Sequence, residues 1–264
     1  MSDGTRLYGR YERRRNALFL LPLLIFLHPG TAVGQTPSYG IILIGQSNAE
    51  GQGENSSLHE SMLNVPDSVE FYDKGERILR YDQHRSRHGI EVSMLHRIAL
   101  NSTDKWVLVK YCRGGTSSYA WRPDWTRELA DITNDADKGN LYIETIKAIR
   151  AAEKSHGQPI IWSHILAING ERESRFRQAA HDYTKNMIKI RNALNRDLHA
   201  SATLIVLTLD LQDSKARPWT SLVRNQQEQM THVHASGCQR IGIHYDAQGL
   251  ARIGNRFSQH ILAN

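Results

Sequence analysis

The apolar positions along the chain fall into short runs separated by longer amphipathic stretches. Gly40-Ile41-Ile42-Leu43-Ile44 is a continuous apolar run that ends at Gly45, as expected of a buried parallel strand. Val69 to Tyr72, Trp106 to Tyr111, Pro159 to Ile168 and Ala202 to Leu209 read in the same way. Between them, Glu91 to Asn101, Asn140 to His156 and Arg175 to Asn195 carry helical periodicity. In the last of these, Tyr183, Met187, Ile190 and Leu194 recur at spacings of three and four. A closing helix is expected from about Asp246 to Ile261, with Leu250, Ile253, Phe257 and Ile261 on one side. Asn55 to Asp67 and Asp131 to Asn140 read as loops. Alternating strands and helices predict an α/β fold, a five-stranded parallel sheet in a three-layer α/β/α arrangement.

The first 34 residues follow a different pattern. Arg10 and Arg13-Arg14-Arg15 precede an apolar run from Ala17 to Leu27, which His28-Pro29-Gly30 breaks before the small residues of Thr31-Ala32-Val33-Gly34. This is the order of a secretory signal, and the apolar run is too short to span a bilayer. The expectation is a signal peptide over 1–34, a single domain over 35–264, and a secreted or periplasmic protein with no membrane span after cleavage. The segment carries five arginines against Asp3 and Glu12, so it supplies about half of the formal net charge of +6. No clustered basic stripe remains to suggest a nucleic-acid partner. Export leaves Cys112 and Cys238, the two cysteines, either linked or as separate buried thiols.

Four segments carry candidate chemistry. Gly45-Gln46-Ser47-Asn48 stands where the first strand gives way to a helix. A serine there is presented at the carboxyl edge of the sheet, beside the free N–H groups of a helix start. The same serine would also serve as an ordinary helix cap. Arg113-Gly114-Gly115-Thr116-Ser117 follows the third strand, and its paired glycines allow close backbone approach. Asn169-Gly170-Glu171 follows the fourth strand, and His244 precedes the last helix. His232 and His234 form a ligand pair without a visible third donor, so no metal or other cofactor is expected.

In this order the four segments resemble the SGNH hydrolases, and within them the sialate O-acetylesterase-like group that includes the family 6 carbohydrate esterases. Val223-Arg224-Asn225-Gln226, before the histidine, and Ile253-Gly254-Asn255-Arg256, in the last helix, add to the likeness. The resemblance implies a flavodoxin-like sheet and a serine esterase that removes acetyl groups from a glycan. Ser47 would be the nucleophile and His244 its base. The N–H groups of Ser47 and Gly115 (or Gly114) and the side chain of Asn169 would form the oxyanion hole, and Gln46, Thr116 and Trp121 would contact substrate. The chain departs from the family where Asn169 replaces a glutamine and Ala167 a tryptophan. Ile241 also stands where an aspartate usually orients the histidine. Glu171 is the candidate to supply that carboxylate, ahead of Glu173, Asp210 and Asp246, the last of which reads as the cap of the closing helix, with a Ser–His dyad or an inactive site as alternatives. An inactive glycan-binding protein and a sugar O-acetyltransferase are the competing functions.

Overall fold

A computed structural model describes residues 37–263. The expected signal segment lies outside the described residues.

The apolar runs form a central sheet with strands β1 (Ser38–Gly45), β2 (Val69–Asp73), β3 (Glu76–Ile78), β4 (Trp106–Cys112), β5 (Ile160–Ile168), β6 (Thr203–Leu207) and β7 (His232–Val233), in the order β3-β2-β4-β1-β5-β6-β7. The sheet therefore has seven strands where five are expected. The two extra strands are short edges with no apolar run to announce them. β3 returns antiparallel to β2 through Lys74 and Gly75, both at positive φ, and β7 is two residues long. The remaining pairings are parallel.

The order also differs from the flavodoxin-like one, which would set the first strand between the second and third parallel strands. Here β1 lies between β4 and β5, while β2 is displaced outward. β4 is apolar but for the buried, paired Lys110 and suits the interior, whereas β2 carries Glu70 and Asp73 and tolerates a more peripheral place.

Alternate residues of β1 feed two cores. Ile41 and Leu43 pack with α2 (Glu91–Asn101) and the last helix, α6 (Ala247–Leu262). Ile42 and Ile44 pack with α3 (Leu141–His156) and α4 (Arg177–Asp197). This gives the three layers. The expected helices are present within two residues at each end. Thr220–Glu228 is also a helix, α5, where a connection is expected. It is short and polar except for Leu222 and Val223, which pack against the α3/α4 face. Among the described residues no helix is long and apolar enough to cross a membrane. Cys112 and Cys238 are separate buried thiols, not a disulfide. Cys112 donates to the Leu43 carbonyl, and burial pushes its thiol far above the ordinary range.

Candidate active site

The site is built on the abrupt end of β1. Gly45 has φ 140°, and a Cβ there would meet the Ile168 carbonyl oxygen at 2.1 Å, so only glycine lets β1 turn this close to β5. The turn leads into a single helical turn, α1 (Ser47–Glu50), which lifts Ser47 to a half-buried position at the sheet's carboxyl edge. His244 comes from the far end of the chain, on the two-residue strand β9 (His244–Tyr245) paired with β8 (Arg240–Ile241). Its Nε2 lies 3.0 Å from Ser47 Oγ, the separation expected of a nucleophile and its base.

Asn48 ties these two ends together. Its amide donates to Glu171 Oε1 at 2.5 Å and to the Ile243 carbonyl at 3.0 Å, and its oxygen accepts from Tyr245 N–H at 3.1 Å. It thus grips the backbone on both sides of His244 while sitting next to Ser47 in sequence. Glu171 anchors the grip. Its other oxygen accepts from Gln46 Nε2 at 2.5 Å. Burial pushes the Glu171 carboxyl up, against the Asn48 hydrogen bond and the Arg217 charge that hold it down.

These contacts revise several expectations. Glu171 spends both oxygens on Gln46 and Asn48, and no hydrogen bond joins it to His244. Among the described residues no carboxylate hydrogen-bonds the histidine. Ile241 is 79% exposed, so the usual position for one is solvent-facing as well as apolar. Asp246 caps α6 by accepting from Gly249 N–H at 2.8 Å. The side chain of Asn169 points into the α4 layer, where it accepts from Tyr183 Oη at 2.8 Å and donates to Met187 Sδ. Gln46, Thr116 and Trp121 are almost wholly buried and cannot line an open substrate site. Thr116 donates to the Arg113 carbonyl and accepts from Trp121 Nε1, so both brace the loop after β4.

That loop lies against the serine. A Cβ on Gly114 would sit 3.8 Å from Ser47 Cβ. Gly114 N–H is held by Glu50 Oε2 at 3.1 Å. The N–H groups of Ser47 and Gly115 have no hydrogen-bond partner among the described residues. Beneath the loop, the buried Lys110–Glu91 pair (2.9 Å) and Arg85 direct their cations to the Glu50 carbonyl and fix α1 from below.

Two arginines escape sequence reasoning because no motif surrounds them. Burial lowers the His244 pKa, and the charges of Arg87 and Arg217 lower it further. Arg87 is engaged by Glu54 at 3.0 Å. The Arg217 backbone is pinned by Ser214, yet its Nε is buried without a hydrogen-bond partner among the described residues. A cavity of about 420 Å³ opens beside His244, lined by Gln52, Glu54, Arg87 and Ile241 among others. Among the described residues no group of three or more His, Cys, Asp or Glu side chains converges as a metal site.

The fold is shared with solved structures at low sequence identity. A protein from Arabidopsis thaliana is 19% identical, with TM-score 0.67 over 87% of this chain and 99% of that one. A carbohydrate acetylesterase from Xanthomonas citri is 14% identical, with TM-score 0.60 over 83% of this chain and 55% of that one. The carbohydrate acetylesterase Est24 from Sinorhizobium meliloti is 11% identical, with TM-score 0.53 over 86% and 99%. No curated protein matches in sequence. Residues 40–263 match the family described as carbohydrate esterase, sialic acid-specific acetylesterase, and the chain belongs to that family of carbohydrate ester hydrolases.

Proposed function

We propose that the protein removes O-acetyl groups from an acidic sugar through a Ser47–His244 dyad. The observation that carries this reading is the 3.0 Å approach of His244 Nε2 to Ser47 Oγ beside unpaired backbone donors. With Nε2 unprotonated, His244 takes the hydroxyl proton as Ser47 Oγ attacks the acetyl carbonyl. The N–H groups of Ser47 and Gly115 receive the negative oxygen; each such donor is worth about 3–4 kcal/mol in the transition state. The proton then passes to the departing sugar oxygen. Water, deprotonated by the same histidine, releases acetate from the acyl-serine. Glu171 acts one step removed, as a positioning residue that holds Asn48 and, through it, the backbone around His244.

The acidic sugar is supported by Arg217, a guanidinium near the dyad with no ion pair among the described residues, and by the sialic acid in the family's description. The residues 10–34 further support export with cleavage near Gln35, which N-terminal sequencing of secreted protein checks directly. Acetate release by purified protein from O-acetyl sialic acid, compared with an acetylated neutral sugar, tests the function. Faster turnover of the acidic ester, lost in Ser47→Ala, is expected. Acetate transfer to an added sugar acceptor, or no release at all, would sink it.

A further inference from the structure

A pair of histidines stands apart from His244. β7 is an edge strand, and Val233 turns inward to the core while His232 and His234 project together to the outside. Their Nε2 atoms are 3.1 Å apart and their rings are nearly perpendicular, at 78°, with centroids 4.5 Å apart. A linear N–H···N bond at that separation would hold the ring centres farther apart. The short separation and crossed rings fit two nitrogens that share one ligand.

We propose that His232 and His234 chelate one divalent transition-metal ion. Imidazole nitrogens bind zinc at about 2.0–2.1 Å, so two of them on one tetrahedral or square ion lie roughly 2.9–3.4 Å apart. The observed separation falls inside that range. His232 Nδ1 is 2.8 Å from the Met230 carbonyl. A carbonyl only accepts, so the ring proton sits on Nδ1 and leaves the Nε2 lone pair bare, the arrangement that orients a metal-binding histidine. Arg256 Nη1 donates to the His234 carbonyl at 2.6 Å and to the Ser236 carbonyl at 3.0 Å, which fixes the strand end that carries the second ring. Two imidazoles suit Cu²⁺, Ni²⁺ and Zn²⁺, with Cu²⁺ held most tightly. With no third side-chain donor grouped there among the described residues, the other coordination positions are left to water, and the ion exchanges readily.

The test is calorimetric titration of the purified protein with Ni²⁺ alone. The variants are His232→Ala and His234→Ala, with the exposed His59→Ala as a control. One site per chain is expected in the wild type and the control. Each of the two β7 variants should bind at least about tenfold more weakly, while their melting temperatures without metal match the wild type. With Cu²⁺, electron paramagnetic resonance should show coupling to two nitrogens, falling to one in each variant. Wild-type affinity retained in both β7 variants, or no saturable binding by the wild type, would overturn the proposal.

Discussion

The two edges of the sheet each hold a serine against a histidine, and they differ in what surrounds the serine. At the amino edge, His156 Nε2 lies 3.1 Å from Ser38 Oγ and its Nδ1 lies 3.1 Å from Glu70 Oε2. That is the complete serine–histidine–carboxylate relay. At the carboxyl edge, Ser47 and His244 meet without any carboxylate. Yet Ser38 is wholly buried, and its N–H is committed to the Pro159 carbonyl. Its histidine and glutamate stitch β1, β2 and the end of α3 together. Ser47 is only half-buried and lies beside unpaired N–H groups, and its histidine lines a cavity. An acyl-transfer site thus depends first on an accessible nucleophile and free donors for the oxyanion. The third member of the relay refines the histidine but does not make a site by itself.

The sharpest test of this contrast pairs Ser47→Ala with Ser38→Ala. The first should lower kcat for acetyl ester hydrolysis by on the order of 10⁴-fold or more, and the second should leave it unchanged. Measurable loss on changing Ser38 alone, at unchanged stability, would break the comparison. Glu171→Gln is next in size. As a positioning residue it should cost roughly ten- to a hundredfold in kcat, well short of the about 10⁴-fold seen when a carboxylate partner of a catalytic histidine becomes an amide. A loss of that larger size would mean that Glu171 reaches His244 in the working enzyme.

A pH profile probes the same point from the histidine's side. Burial, Arg87 and Arg217 all lower the His244 pKa, so the acid limb of kcat/KM should fall below the ordinary histidine value of about 6.5. Removing one of the cations in Arg217→Gln should raise that midpoint. A midpoint unmoved by the substitution would remove Arg217 from the neighbourhood of the dyad.

The smallest expected effect lies at the amino edge. Burial alone would raise the Glu70 pKa, but hydrogen bonds from Tyr72 and His156 and the charge of Arg77 bring it below the usual value. A carboxyl lowered on folding stabilises above its unfolded pKa, and that contribution fades as pH falls through the folded one. Glu70→Gln should therefore cost about 1 kcal/mol near pH 7, less at pH 3, and nothing in activity. Thermal denaturation at the two pH values, beside an esterase assay, measures all three.

Much of the scaffold is legible along the chain because its signal is local. β1 is buried on both faces and reads as an unbroken apolar run, and β4 and β5 are apolar but for Lys110 and for Ser163-His164. α4 and α6 show their period because one side of each is packed. The edge strands β3 and β7 and the helix α5 are short and half-polar, and nothing in their spacing sets them apart from loops. Within the site, Ser47 and His244 are legible from their places at a strand-to-helix turn and before the last helix. Asn48 sits in the same short block, but its task is to hold a backbone 195 residues away, and no local pattern encodes that.

The sequence alone therefore determined the α/β alternation, the serine at the end of the first strand, the late histidine, and the missing aspartate at Ile241. These depend on residue type and on periods of a few residues. Only the tertiary structure decided which way the polar side chains between these points turn. Glu171 closes on Asn48 and Gln46 instead of His244, and Asn169 turns into the helix layer. Arg217 approaches the dyad from a loop, and Ser38 forms a full relay in a place no substrate reaches. Each of these outcomes follows from burial and from competition for hydrogen-bond partners brought together by the fold, and a buried polar group takes the partner that satisfies it regardless of distance along the chain.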